Sequence, residues 1–411
     1  MSDAVCPAGY HGFEPFDMNN PFPSYEELRK EQPVMFDDRV GYYVVTRYDD
    51  VKSVFENWQT FSSENAQAPV RPISAAAKKV MDDGGFTAYS GLSARIPPEH
   101  TRIRAVASKA FTPRRYKVLE PFIRDNTNIM IGEMLAKGDA GGDILADIAY
   151  ELPAITILTL LGVPVEKIPE VKAWATSRAV ITWGELTDEE QIPHAHNLVK
   201  YWSFCQELVA NAHANPGDNL VSDMVALQQA GDEISDHEIA SVLYSMLFAG
   251  HETTTTLISN AVRVLLQHRV AYEALVADPE KIPGAIDEVL RYSPSIVAWR
   301  RKAVQDGEIG GVKIPKGSEI LLVMGSANRD ENVFDQPDAF NIDRENSRNH
   351  LAFGYGIHYC LGNMLAKLQA KVALEEITKN VPSLRLKPET EIKFGENLSF
   401  RVPTAVPVEW N

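Results

Sequence analysis

The chain reads as a mainly α protein with a small β portion, an α+β fold in a single domain over residues 1–411. Three observations predict this. Helix-forming sequence fills most of residues 101–292 and returns at 362–380. Strand-like runs gather late, near 307–314, 318–323, 383–387 and 399–406. Between them, Ser235-Asp236-His237-Glu238 forms a capping box, and no proline follows through His268. A helix of about 32 residues is expected there, ~48 Å long at 1.5 Å per residue, enough to cross a whole domain.

Taken in order, Pro33–Phe36 and Gly41–Arg47 read as a β-hairpin turning at Asp37–Val40. Asp49 or Asp50 then caps a short helix through Phe55. Residues 64–99 hold Pro69, Pro72, Gly84, Gly85, Gly91, Pro97 and Pro98 and read as a long irregular loop, interrupted by a helix around Ser74–Met81. A loop of that length in a compact domain is usually functional or disordered. Helices are expected at 101–110, 115–137, 143–161, 168–182, 189–214, 219–230, 236–267, 283–292 and 362–380. No repeat, low-complexity tract or linker divides them.

The length permits a core large enough to bury a large cofactor. At 45% hydrophobic and 23% charged, the composition is that of a soluble globular protein. Cys6, Cys205 and Cys360 are far apart and odd in number, which leaves no disulfide framework or CxxC metal knuckle and fits a reducing, cytoplasmic setting. Met1–Tyr25 contains acids, prolines and no long apolar run, so neither a secretory leader nor a membrane anchor is expected. A net charge of −16 argues against a nucleic-acid partner. One stretch runs against that acidity: His100–Val118 carries Arg102, Arg104, Lys109, Arg114, Arg115 and Lys117 and no acid. It is either a solvated basic face or a surface that steers an acidic partner.

The most specific segment is Phe353-Gly354-Tyr355-Gly356-Ile357-His358-Tyr359-Cys360-Leu361-Gly362. Its glycines let the backbone turn tightly and approach something flat, and it delivers one cysteine to the start of the 362–380 helix. The positive end of that helix favours thiolate over thiol. A lone thiolate suits the axial position of a haem iron.

This run resembles the haem-binding signature of the cytochrome P-450 family, Phe-x-x-Gly-x-His-x-Cys-x-Gly, matched by Phe353, Gly356, His358, Cys360 and Gly362. The resemblance extends from about Asn20 to Arg401 and implies a P-450-type domain holding haem b (iron protoporphyrin IX), with Cys360 as iron ligand and Phe353, Gly354 and Gly362 beside it. On the long helix, Ala249-Gly250-His251-Glu252-Thr253-Thr254 is similar to the family's oxygen-activation motif. Its glycine and threonines weaken a helix and can open it beside a small ligand. The resemblance gives Thr253 the role of holding the reacting oxygen or its water, and Glu252 that of relaying protons, with Ala249 and Gly250 at the opening. Glu288 and Arg291 share a helix face and match the family's Glu-x-x-Arg pair, with Arg344 as third member, in a structural role. His100 and Arg104, four apart, match the first pair of propionate ligands; Arg301 and His358 match the second, Arg301 preferred over Arg300 because the family element reads Arg-x-Ala.

The implied activity is oxygen insertion from O2, by hydroxylation or O-/N-dealkylation. Segments such as Ile181-Thr182-Trp183-Gly184 and Val297-Ala298-Trp299-Arg300-Arg301 are most similar to members that dealkylate herbicides and aromatic ethers. Substrate contacts are expected from Phe86, Tyr89 and Leu92, from Val180, Ile181 and Trp183, from Phe248 within Met246–Ala249, from Ile296, Val297 and Ala298, and from Leu398 and Phe400. They are apolar and partly aromatic, suited to a compact hydrophobic molecule. Arg71 could hold a carboxylate or stand in solvent. Only 51 residues follow Cys360, too few for a flavin or iron–sulfur domain, so electrons are expected from a separate ferredoxin with an NAD(P)H-dependent reductase, docking near 101–110. The rival readings are a peroxide-driven haem peroxygenase, which Glu252-Thr253 argues against, and a non-enzymatic haem sensor.

Overall fold

The computed structural model describes residues 13–89, 91–388 and 390–410; Cys6 and the first twelve residues of the Met1–Tyr25 stretch on which the no-leader reading rests lie outside them. The long helix is present as Asp236–Gln267, 32 residues without a break. Its capping box closes as the sequence demands: Ser235 Oγ accepts from the Glu238 amide, and the Glu238 carboxylate accepts from the Ser235 amide at 2.8 Å. Arg102 also bonds that carboxylate and, against the cost of burial, holds it down to about 2.

Two apolar cores grip this helix at different levels. Its first half, Ile239–Phe248, packs against the helices Leu152–Leu160, Ile168–Trp183 and Asp188–Ala214. Its second half, Leu257–Leu266, packs against Ile282–Tyr292 and Asn363–Asn380. Residues 249–254 belong to neither core, and the functional cavity opens there.

Among the described residues the β portion holds three small sheets. β1 (Val34–Asp37) and β2 (Tyr42–Val45) form the expected hairpin, extended by β3 (Phe61–Ser62), β5 (Trp299–Ala303) and β8 (Glu319–Leu322) in the order β1-β2-β8-β5-β3. β2 and β8 run parallel; the other pairs run antiparallel. β4 (Gly142–Asp143), β10 (Pro407–Glu409) and β9 (Arg385–Leu386) form the second sheet. The run read as one strand over 307–314 is a hairpin of β6 (Gly307–Ile309) and β7 (Val312–Ile314). Gly310 and Gly311 supply the left-handed φ values of 54° and 83° that the turn needs. Residues 399–406 make only isolated bridges, Ile296 to Phe400 and Phe394 to Pro403, since proline has no amide to donate. The expected helix at 143–161 is divided into a wide π-type turn at Leu145–Ala149 and a helix at Leu152–Leu160 that carries Pro153 in its first turn. Helices Phe22–Glu31 and Arg269–Ala277 were not anticipated. Among the described residues no helix is long and apolar enough to cross a membrane.

Candidate active site

Gly354 and Gly356 hold φ near 70°, and a Cβ on Gly356 would lie 3.1 Å from the Phe55 carbonyl oxygen, so both positions need glycine. The turn is tied by the Cys360 amide donating to Phe353 O at 3.0 Å, and by Asn363 Nδ2 donating to Cys360 O at 2.7 Å. Cys360 therefore lies in the cavity wall with Phe353, Gly354 and Gly362. Burial pushes its thiol up; the amides of Gly362 and Asn363 and the charge of Arg104 pull the other way without winning. Cys205 is in the apolar core, its thiol raised by complete burial.

A cluster of nitrogen groups borders the same loop. Arg104, Arg301 and His358 line the cavity, and the His100 ring lies 4.3 Å from that of His358. Strand alternation sends Arg300 and Arg301 to opposite sides: Arg301 enters the cavity wall, while Arg300 turns to the Ala66 carbonyl and the Trp183 ring. Burial holds Arg301 down to about 10. Burial, then the charge of Arg301, bring His358 to about 3, and burial with Arg104 brings His100 to about 4. Neither Arg104 nor Arg301 has a carboxylate partner among the described residues, and Arg301 Nε and both His100 ring nitrogens are buried without a hydrogen-bond partner. Buried cations and orphaned donors need an anion. A flat group with carboxylates on its edge and an iron for Cys360 fits this set.

Across the cavity, Ala249, Gly250 and Thr253 line the wall. The helix does not open here: Thr253 Oγ1 donates to Ala249 O at 2.8 Å inside an unbroken helix. Gly250 has a packing reason, because a Cβ there would lie 2.5 Å from Ile157 Cγ1. Glu252 faces away from the cavity, with Oε1 3.2 Å from both Thr176 Oγ1 and His251 Nε2. The second contact is off-line for a hydrogen bond, since His251 is buried with Nδ1 on Leu247 O. Burial opposes the Glu252 charge, but His251, Thr176 and Lys172 together keep its pKa below the usual range.

Of the expected substrate contacts, Leu92, Phe248, Ile296 and Phe400 line the cavity. Trp183 stands one layer behind, stacked on Phe248 at 5.4 Å and edge-on to Phe400 at 4.9 Å. Phe86 packs on Trp202 and Tyr244, and Tyr89 on His237. Val180 and Ile181 are not in the wall; Val297 bonds Ser399, and Ala298 and Leu398 enter a separate apolar core. Arg71 is exposed and paired with Glu185. Sequence reasoning missed Gln67, Ser93, Arg178 and Ser245, which form a polar corner of the wall. A lone Arg beside Ala179-Val180-Ile181 was the available signal.

The basic stretch is largely neutralised. Arg102 pairs with Glu238, Lys109 with Asp232 and Arg115 with Asp223, while Arg104 donates to Tyr359 O. Glu288 and Arg291, both fully buried, form a two-bonded pair at 2.8 Å joined by Arg344 at 3.2 Å.

A cysteine on a glycine turn, opposed by a threonine on a long helix and ringed by uncompensated cations, defines a protein built to hold a flat anionic metal cofactor. The cytochrome P450 family model matches residues 18–401, and the chain belongs to that family. It is similar to the putative cytochrome P450 YjiB of Bacillus subtilis, 36% identical with 94% of each chain covered. It is also similar to the mycinamicin IV hydroxylase/epoxidase of Micromonospora griseorubida, 34% identical with 94% of each covered. Among solved structures, cytochrome P450 CREJ in complex with (4-ethylphenyl) dihydrogen phosphate is 64% identical, with a TM-score of 0.96 over 98% of this chain and all of that one. The chain is therefore an oxidoreductase of the haem-thiolate monooxygenase class, carrying haem b on a cysteine thiolate and depending on O2 and a redox partner.

Proposed function

We propose that residues 1–411 act as one haem-binding domain that inserts an oxygen atom of O2 into a small, mostly aromatic substrate, by hydroxylation or by O-/N-dealkylation. The balance is RH + O2 + two electrons + two protons giving ROH + water. The observation that carries the reading is that Cys360, Arg104, Arg301, His358 and Thr253 border one cavity.

When bound, the haem supplies oxygen activation, with the thiolate donor favouring O–O cleavage. Cys360 is the iron ligand, and its backbone turn fixes the sulfur. Arg104, Arg301, His358 and His100 would receive the haem carboxylates, which would give Arg301 Nε and the His100 ring the partners that their buried nitrogens lack. Thr253 Oγ1 holds and passes a proton at the cavity wall, and Glu252 feeds protons to that wall from its far side. Phe248, Ile296 and Phe400 orient an aromatic ring and exclude water, with Trp183 fixing two of them from behind. The aryl phosphate bound by CREJ supports a substrate that joins an aromatic ring to an acidic head. A separate ferredoxin and NAD(P)H-dependent reductase supply electrons in a cytoplasmic setting, and the exposed Arg114 and Lys117 are what remains of the basic stretch to meet them.

The test is turnover of a 4-alkylphenyl phosphate under isotopically labelled O2, with NADH, ferredoxin and reductase, against peroxide alone. Labelled oxygen in the product, dependent on ferredoxin, is the expected result. Fast turnover on peroxide with no gain from ferredoxin would support the peroxygenase reading, and binding without turnover the sensor.

A further inference from the structure

Arg178 is 4% exposed and lies in the cavity wall, yet no carboxylate is within ion-pair distance of it among the described residues. Its Nη1 donates to Tyr244 O at 2.7 Å and its Nη2 to Gln67 Oε1 at 3.2 Å, and its guanidinium lies over the Tyr244 and Phe248 rings at 4.3 and 5.2 Å. The groups that feel its charge are Tyr201, Cys205 and Tyr244, all of them neutral because burial raises them. A purely structural side chain holding one carbonyl and one amide needs no charge. A guanidinium stripped of water and left without a counter-ion is costly by several kcal/mol, so the charge is kept for an anion that arrives from outside.

The neighbours fit that purpose. Gln67 accepts from Arg178 through Oε1, which leaves its amide nitrogen as a donor beside the cavity. Ser245 Oγ accepts from the Gly91 amide at 2.9 Å, leaving its hydroxyl hydrogen to donate, and Ser93, two residues beyond Gly91, lines the same cavity. Arg, amide and hydroxyl donors converging from three elements suit a tetrahedral group with three terminal oxygens better than a planar carboxylate. Tyr244 is nine residues before Thr253 on the same helix, about 13 Å along its axis. A benzene ring with a short alkyl chain spans such a gap, and the aromatic wall of Phe248 stands between the two ends.

We propose that Arg178, with Gln67, Ser245 and Ser93, forms an anion subsite that takes the phosphate head of an aryl phosphate monoester and presents the far end of its ring to Thr253 and Cys360. The inference rests on the aromatic-substrate reading above and adds what fixes the orientation.

The experiment is calorimetric titration of the haem-loaded full chain with a 4-alkylphenyl phosphate, the corresponding 4-alkylphenol and the 4-alkylbenzoate. For the unaltered protein the phosphate is expected to bind about 100-fold more tightly than the phenol, with the benzoate between them. In Arg178→Gln the advantage of the phosphate should vanish while phenol binding changes little; in Ser245→Ala, which also removes the acceptor of the Gly91 amide, the phosphate should lose about tenfold and the phenol far less. Equal phosphate affinity in the unaltered protein and Arg178→Gln would overturn the subsite and leave the aromatic reading standing. Should Arg178→Gln fail to fold, an unaltered protein that binds phosphate and phenol equally overturns the subsite by itself. Benzoate binding as tight as phosphate would overturn the phosphate assignment. Failure of all three aromatic compounds to bind would overturn both the subsite and the reading beneath it.

Discussion

Glu252 and Thr253 are consecutive, yet their side chains serve opposite sides of the central helix. Thr253 Oγ1 sits in the cavity wall on the Ala249 carbonyl, while the Glu252 carboxylate reaches Thr176 on the helix behind. Any proton passed between them must go around the helix, so the two residues should fail differently when changed. Thr253→Ala is expected to cut the product formed per NADH consumed by about 10- to 100-fold, with substrate affinity little altered and Thr253→Ser restoring most of it. Product yield and NADH oxidation measured together decide it; unchanged coupling would remove Thr253 from proton delivery.

Behind the helix, the Glu252 charge is supported, after His251 and Thr176, by Lys172, a 4% exposed amine whose Nζ donates to Tyr150 O at 2.6 Å and to Glu151 Oε1 at 2.9 Å. Because the folded pKa of Glu252 is depressed, its ionised form stabilises the protein above the ordinary glutamate range and is lost only as pH falls through the depressed value. Lys172→Met removes one of the groups opposing burial, so the acidic limb of the rate profile should move to higher pH. An unmoved limb in the pH–rate profile would separate Lys172 from the relay.

The haem-free chain should lose stability on acidification through His100. Burial and then Arg104 hold this imidazole at about 4, below its ordinary value of 6.5, so the unfolded chain binds the extra proton first. The His100 share of the loss should be a few kcal/mol, run from about pH 6.5 down to about 4 and then level off, while His358 continues it to about 3. Carboxylates of a bound haem would favour the charged ring, so the loaded protein should show a smaller loss. Denaturant melts of both forms across that range check it, and His100→Gln should make the apo curve shallower, with His358, held at about 3, carrying the rest of the loss.

Gly250 and Ile157 should be energetically coupled. Gly250→Ala pushes a Cβ to 2.5 Å from Ile157 Cγ1 and is expected to cost about 1–3 kcal/mol. Ile157→Ala frees that space, so the double variant should be more stable than the sum of the single losses. A double-mutant cycle from chemical denaturation measures the coupling. Additive losses would mean that the helices separate freely.

Features written in short segments were legible in the sequence. Ser235 to Glu238 fixed the start of the central helix, and the spacing of Glu288 and Arg291 gave a pair that is fully buried. Gly354 and Gly356 announced the turn that their left-handed backbone now forms. What required three dimensions was not legible. β2 finds its parallel partner β8 across more than half the chain, and no local pattern encodes that register. Glycine and threonine at Gly250 and Thr253 suggested an opened helix, because propensity cannot reveal that Ile157 fills the space above the glycine. The basic run at 102–117 read either as a solvated face or as a docking surface, and no local pattern shows that the folded chain brings Asp223, Asp232 and Glu238 against three of its cations. Arg178 was passed over because only its surroundings, not its neighbours in sequence, show that its charge is unanswered.

The central claim is that Cys360 binds the haem iron as a thiolate. The reduced protein under carbon monoxide tests it directly, since the Soret band of a thiolate-ligated haem lies at longer wavelength than that of a histidine-ligated one. The unaltered protein should give the long-wavelength band, and Cys360→His should move it to shorter wavelength with haem retained. A histidine-type band from the unaltered, fully loaded protein would contradict the assignment.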